Sequence, residues 1–286
     1  MKLLRLNIPQ EIPPVSVVIA SFDNTDILEL TLASLACQSS DNFQVIIADD
    51  GSNEDYAPVL KKWACSFRYG IQHVKHENRG FRKTKILNRA VITSRFERLI
   101  FIDMDCLLHR HFIKNHLAYL EKGIVITGRR VDVMKEVLRS PEEIVRDGLG
   151  LSLFRLFKLR ILKKAERIEC GFFSPVFYQS ANNTILGSNF SIFKSDLEAV
   201  NGFNEEYIDV GIGEDTDIDF RLKLNGIKVK NLRNKVIQYH IHHHKSSRDI
   251  ERNWKILERT KRNHEIRAKR GLAEVGESDF FQESFI

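Results

Sequence analysis

Cysteine is scarce in this 286-residue chain: four residues, Cys37, Cys65, Cys106 and Cys170, widely spaced and without a Cys-x-x-Cys pair. That excludes a disulfide framework. Free thiols in apolar surroundings pack as small hydrophobes, so we expect a reducing cytosol. No run of about 18 apolar residues occurs, and no membrane span is expected. The opening MKLLRLNIPQEIPP turns polar after Leu6, too soon for a secretory leader. There is no internal repeat. A strong excess of one charge is also missing: 44 basic against 38 acidic residues leave +6. This would suit an anionic substrate or an anionic membrane surface and makes no case for nucleic acid. With 43% hydrophobic and 29% charged residues, the chain reads as globular, either one large α/β domain or a domain with an elaborated second half.

What is present is alternation. VSVVIASF after Pro13 and Pro14 is a β-branched apolar run, as in a strand buried on both faces. Ile27, Leu28, Leu32 and Leu35 then follow with helical spacing, with Asp23 or Asn24 as N-cap. FQVIIADDGS predicts a second strand, EDYAPVLKKWACS a helix, IQHVKHE a third strand and FRKTKILNRAVITS a third helix. RLIFIDMDCLL, residues 98–108, predicts a fourth strand. Such alternation predicts a mostly parallel sheet flanked by helices, with ligands beyond the carboxyl ends of its strands. The second half is less regular. FIKNHLAYLEKG predicts a helix, IVITGRRVDV one strand, residues 135–180 a mostly helical basic stretch, and 249–270 a charged helix.

Six motifs stand out. Asp103 and Asp105 sit in an apolar strand pattern, where residues i and i+2 share a side. Two carboxylates there repel unless a cation lies between them, and a divalent cation shared with a nucleotide diphosphate would satisfy both. The plainer reading is a strand end turning into solvent. Glu214, Asp215, Asp217 and Asp219 open a helix after Gly211 and Gly213. Capping accounts for one or two acids, and one could serve as a general base on a hydroxyl. YHIHHH sets His240, His242 and His244 on one face of a strand, a metal-ligand pattern or a solvated loop. Asp49 and Asp50 end the second strand, where a carboxylate could accept from a base or ribose, or simply form a turn. Arg79, Arg82, Lys83 and Lys85 could neutralise a diphosphate or form a solvated basic face. Residues 151–164 alternate apolar residues with Arg155, Lys158, Arg160, Lys163 and Lys164. They would suit an anionic membrane surface, or a core helix with a basic outer face.

Together, SVVIASFDN, IIADDGS, NRGF and FIDMD come in the order found in bacterial family 2 glycosyltransferases with the GT-A fold, and the chain resembles them over roughly residues 15–245. Its second half resembles the galactosyltransferase C-terminal module: GFRKTKILN is similar to FNRAKLLN, and GIGEDTDIDFRL to WGWGGEDDDIFNRL. The resemblance implies a metal-dependent inverting hexosyltransferase that uses a UDP-sugar, galactose or glucose first among hexoses and N-acetylhexosamines. Asp105 would ligate Mn²⁺ or Mg²⁺ with one histidine of the run, His242 or His244 first. Asp103 and Met104 would meet the donor's ribose or sugar; Ala20, Phe22, Asp49 and Phe81 would frame the uridine. Lys83, where galactosyltransferases carry arginine, and Lys85 would stand near the phosphates. Asp215 would deprotonate the acceptor hydroxyl, with Glu214, Gly213 and Asn189 on the acceptor side. Val210 and Ile212 replace the family's tryptophans, which bears on sugar preference.

These readings divide the chain into a donor-binding half (1–110), an acceptor and catalytic half (111–248) and a charged tail (249–286), open to pairing with a second copy or a membrane. The expected acceptor is a saccharide, with an undecaprenyl-diphosphate-linked one in O-antigen or capsule assembly as the specific expectation, at the inner face of the cytoplasmic membrane. Two rivals remain. A sugar nucleotidyltransferase also uses paired acids on a parallel sheet, but no glycine-rich phosphate loop follows the first strand. A non-catalytic nucleotide-sugar-binding module would need no base.

Overall fold

The computed structural model describes residues 12–133, 140–147, 183–209, 213–232, 234–241, 250–276 and 280–286. The basic segment at 151–164, Val210 to Ile212, His242 and His244 lie outside the described residues.

Strand β1 (Val15–Ser21) is buried along its whole length. It pairs in parallel with β2 (Phe43–Asp49) on one side and β4 (Arg98–Asp103) on the other. The two-residue period of these strands builds two cores. Val15, Val17, Ile19, Val45, Ile47, Ile100 and Ile102 face helices α1 (Thr25–Ala36) and α2 (Ala57–Ala64). Val18, Ala20, Ile46, Ala48, Leu99 and Phe101 face α3 (Lys83–Thr93) and the second half of the chain. Both faces are covered, which is why these strands read as unbroken apolar runs. Helix α1 starts at Asn24, whose side chain accepts from the Ile27 N–H at 3.3 Å.

Among the described residues the sheet has eight strands. Strand β3 (Ile71–Lys75) continues it beyond β2, and β8 (Asn189–Phe193) joins β4 antiparallel. Beyond β8 lie β6 (Ile124–Thr127) and β9 (Lys228–Asn231). Phe101 on β4 stacks on Phe190 of β8 with ring centroids 4.7 Å apart, and Phe203 meets it edge-on. Two helices of the second half cover this end: α6 (Lys194–Ala199) and α7 (Glu214–Leu224), with Leu197, Ile218 and Leu222 in the second core. Helix α4 (Phe112–Tyr119) packs on the first core, and α5 (Pro141–Asp147) follows it.

Three expectations change. RLIFIDMDCLL is two strands: β4 ends at Asp103, the chain turns at Met104 and Asp105, and β5 (Cys106–Leu108) enters a different sheet. IVITGRRVDV likewise splits, because β6 and β7 (Arg130–Val133) belong to different sheets. Gly128 sits at that break, where any side chain would overlap Asn189 and the Val236 carbonyl. Strands β5 and β7 flank β10 (Gln238–Ile241) in a three-stranded sheet. In the tail, α8 (Glu251–Arg262) ends well before Arg270, and β11 (Phe281–Phe285) closes the large sheet antiparallel to β3.

His116 on α4 is fully buried, paired with Ser191 Oγ at 2.9 Å and Asn189 Oδ1 at 3.1 Å. Burial pushes its pKa from 6.5 down to about 3. The folded protein therefore keeps it neutral where an unfolded chain takes up a proton. Stability is fully present above about pH 6.5 and falls as pH drops toward 3, by about 1.4 kcal/mol per unit from this group. Denaturant melts of His116→Gln should show a shallower loss from pH 6.5 to 4 than the parent; parallel curves would contradict this account.

Candidate active site

The carboxyl ends of β1, β2 and β4 open at one edge of the sheet. After β1, Asp23 and Asn24 take left-handed backbone angles (φ 48 and 61). Asp23 is tied down by the loop after β2. Its N–H donates to Ser52 Oγ at 2.7 Å, its carboxylate accepts from the Asn53 N–H at 2.6 Å, and Tyr56 donates to its carbonyl at 2.7 Å. This web holds Phe22 with 46% of its surface exposed, while Ala20 is buried. An exposed ring on a braced loop offers a flat face for a base to stack on. Phe81, before α3, is half-buried.

Asp49 is fully buried. It accepts from the Ser52 N–H at 2.7 Å and lies 2.9 Å from His73 Nε2. Burial raises its pKa, but the His73 and Ser52 hydrogen bonds outweigh that and hold it below the ordinary range. Here the carboxylate braces the turn instead of standing free toward a base. Its neighbour Asp50 accepts from the Arg82 N–H at 2.9 Å and pairs with His76 at 2.7 Å, fixing the entry to α3.

The first residue of α3, Lys83, is the hub. Its Nζ donates to Asp103 Oδ1 at 2.6 Å and lies 3.7 Å from Glu214 Oε1. Burial opposes its charge, but Asp103, Glu214 and Asp215 more than offset that and raise its pKa. Glu214 is raised as well: burial dominates, and Lys83 only partly counters it. This corrects the expectation that Asp103 and Asp105 share one side of a strand. Asp103 pairs with Lys83, and Asp105 lies beyond the strand end. Lys85 stands half-buried two positions further into the first turn of α3.

The four acids of α7 divide. Asp217 pairs with Arg221 at 2.7 Å, both fully buried, and Arg221 donates on to the Val200 and Gly202 carbonyls. Asp219 accepts from the Ile185 N–H and pairs with Lys223. These two hold the scaffold, which leaves Glu214 and Asp215 at the helix start. Asp215 lies against Gly187, where an added Cβ would stand 3.3 Å from the Asp215 Cβ. Gly187 was not singled out from the sequence; nothing in ILGSNF marks it. Gly213 caps the helix at φ 149, with the Tyr207 ring where a Cβ would go. Gly213→Ala should cost about 1–3 kcal/mol of stability by overpacking, read as a lower denaturation midpoint. An unchanged midpoint would mean that the Tyr207 ring moves aside freely.

Asn189 does not line this opening. It is fully buried, its Oδ1 on His116 and its Nδ2 donating to the Val236 carbonyl at 2.9 Å. Its amide is engaged in joining β8 to α4, and the acceptor-side expectation is corrected to a structural task. Met104 is held through its backbone: its N–H donates to the Ala20 carbonyl at 3.0 Å, and its carbonyl accepts from Thr31.

Asp105 meets the small sheet. Its carbonyl accepts from the Ile241 N–H at 2.9 Å, and its Oδ2 lies 3.1 Å from His240 Nε2. The other His240 nitrogen, Nδ1, lies 3.2 Å from Asp132 Oδ1. The Cys106 thiol donates to Asp105 at 3.2 Å, and burial keeps it protonated. Among the described residues no three His, Cys, Asp or Glu side chains converge as a ready metal cage. Asp105 and His240 do supply one oxygen and one imidazole donor side by side. That set fits Mn²⁺ or Mg²⁺ if phosphate oxygens complete the shell. Asp132 was not picked from the sequence, although an acid between two valines carries the same signal as FIDMD.

Comparison with known proteins agrees with this architecture. A family model described as glycosyl transferase family 2 matches residues 16–184, and one described as the N-terminal domain of galactosyltransferase matches residues 169–245. A chondroitin synthase of Pasteurella multocida is 24% identical over 234 residues, covering 74% of this chain and 23% of that protein. A hyaluronan synthase of Pasteurella multocida is 24% identical over 239 residues, covering 79% and 24%. The chain thus spans about a quarter of the length of these relatives. Among solved structures, Staphylococcus aureus TarS superposes with a TM-score of 0.58 at 17% identity, over 91% of this chain and 41% of that one. The mannosyltransferase PcManGT of Pyrobaculum calidifontis, in complex with GDP-Man and Mn²⁺, gives 0.55 at 16%, over 83% and 59%. Both likenesses concern the fold.

Proposed function

The chain belongs to glycosyl transferase family 2, and from that premise we propose that it moves a hexose or N-acetylhexosamine from a UDP-sugar to a saccharide hydroxyl with inversion. The observation that carries this reading is the reach of one ammonium, Lys83, to acids from two halves of the chain. Asp103 ends β4, Glu214 opens α7, and both lie within 3.7 Å of it. Residues 1–110 would serve the donor and 111–248 the acceptor and the chemistry.

In this reading Phe22 and Phe81 hold the uracil, and Asp103 meets the ribose or sugar. Lys83 and Lys85 lie along the diphosphate. Mn²⁺ or Mg²⁺, held by Asp105 and one histidine of the 240–244 run, would offset charge on the leaving diphosphate. His240 is the described histidine within reach of Asp105; His242 and His244 stay in the proposal. The acceptor hydroxyl approaches from the face away from the diphosphate. Asp215 takes its proton as the oxygen bonds to the anomeric carbon and the bond to the diphosphate breaks. Glu214, between Lys83 and Asp215, orients sugar hydroxyls. The named relatives make polysaccharides, which supports a saccharide acceptor.

Calorimetric titration of UDP with Mn²⁺ and with EDTA tests the donor side. The reading predicts binding that depends on the metal, favours UDP over GDP, and is weakened about tenfold or more by Asp105→Asn. Equal binding of both nucleotides in EDTA would overturn it.

No helix among the described residues is long and apolar enough to cross a membrane. A lipid-linked acceptor at the inner membrane face, reached through the basic residues at 151–164, belongs to the same proposal. Reversing the charges of Arg155, Lys158 and Lys163 should then lower binding to anionic liposomes; unchanged binding would remove that part.

A further inference from the structure

Asp132 and His240 are register partners across the parallel pairing of β7 with β10. On the other edge of β10, His240 is paired with Cys106, the residue after Asp105. The three-stranded sheet therefore sets an imidazole between two carboxylates, with Nε2 3.1 Å from Asp105 and Nδ1 3.2 Å from Asp132. Asp132 lies between Val131 and Val133, both buried, and is itself mostly buried. An ionised acid in such a place costs several kcal/mol unless compensated. Arg130 Nε lies 3.7 Å from the Asp132 Oδ1. A cation bound beside Asp105 would take the Nε2 lone pair, which would put the ring proton on Nδ1, the nitrogen that faces Asp132.

We propose that Asp132 is a positioning residue for His240: it holds Nδ1–H, fixes the ring plane, and turns Nε2 toward Asp105. Nitrogen and oxygen donors are then presented together to a divalent cation. This rests on the reading of Asp105 and the histidine run as the metal side of the site. A histidine that ligates a metal commonly donates its other N–H to a carboxylate, and loss of that partner typically lowers metal affinity by about 10–100-fold.

The test is Mn²⁺ affinity of the full chain with UDP present, measured by electron paramagnetic resonance, with the nitrogen modulation of bound Mn²⁺ as a second readout. Asp132→Ala should weaken Mn²⁺ binding by about 10–100-fold and diminish the imidazole signal. Asp132→Asn, whose amide oxygen still accepts from Nδ1–H, should recover most of both. Adding Asp132→Ala to His240→Ala should cause no further loss. Melting temperatures in EDTA separate this from damage to the sheet. Where alanine unfolds the protein, Asp132→Val, suited to a buried strand, takes its place. Full Mn²⁺ affinity in Asp132→Ala, with affinity lost in His240→Ala, would overturn the role of Asp132 and leave the metal reading standing. Unchanged affinity and signal in His240→Ala would remove the metal role of His240, and this inference with it.

Discussion

Asp215→Asn is expected to lower turnover by about 10²–10⁴-fold while UDP affinity stays within about twofold, because a general base acts in the transition state and not on the bound nucleotide. The choice between Asp215 and Glu214 rests on their neighbours. Glu214 lies 3.7 Å from Lys83, on the side where β4 ends. Asp215, one residue on, lies against Gly187, where an added Cβ would stand 3.3 Å from the Asp215 Cβ. The contrary argument is that burial raises the Glu214 pKa, a property suited to proton transfer near neutral pH. Steady-state rates for Asp215→Asn and Glu214→Gln, each with a UDP titration, decide it. Loss of kcat in Asp215→Asn, with a rise mainly in acceptor KM for Glu214→Gln, is the predicted pattern. The reverse pattern would move the base to Glu214.

Lys83→Gln is expected to reduce kcat/KM by about 100-fold, which corresponds to about 3 kcal/mol. The change removes the cation that meets Asp103 at 2.6 Å and Glu214 at 3.7 Å, leaving acids that repel each other and the donor phosphates. Without Lys83 the Glu214 pKa should rise further, so the loss should deepen as pH rises and more carboxylate must ionise. Lys83→Arg keeps the charge in a wider group and should retain about a tenth or more of the parent efficiency. Rates across pH 6 to 9 for both variants check this. Equal losses in glutamine and arginine would show that shape, not charge, is what the site needs from Lys83.

The first half of the large sheet was legible in the sequence because its signals are local. VSVVIASF, FQVIIAD and RLIFID are apolar on both faces, so each reads as a central strand, and the acids that follow fall at the strand ends. The long-range features were not legible. Nothing within FIDMD shows that the chain leaves the sheet after Asp103, since the turn depends on Met104 bonding to Ala20 and Asp105 to Ile241. The small sheet of β5, β7 and β10 joins segments over a hundred residues apart, so the meeting of Asp132 with His240 is a tertiary fact. The acids at 214–219 looked alike in sequence; only the positions of Arg221, Ile185 and Lys223 separate Asp217 and Asp219 from the pair at the helix start. Asn189 misled for the same reason, because its partners His116 and Val236 come from distant elements. Strand β11 carries charge and little periodicity, and it exists because β3 offers it an edge.

The central claim is that this site breaks the bond between a sugar and UDP with a divalent cation bound. The most direct measurement is nucleotide release from a panel of UDP-sugars, with GDP-mannose as control, in Mn²⁺, Mg²⁺ and EDTA. The account predicts UDP released from one donor above the rest, lost in EDTA and regained with Mn²⁺, at a rate that rises with a saccharide acceptor. Release from no UDP-sugar under any metal condition, or equal release in EDTA, would contradict it.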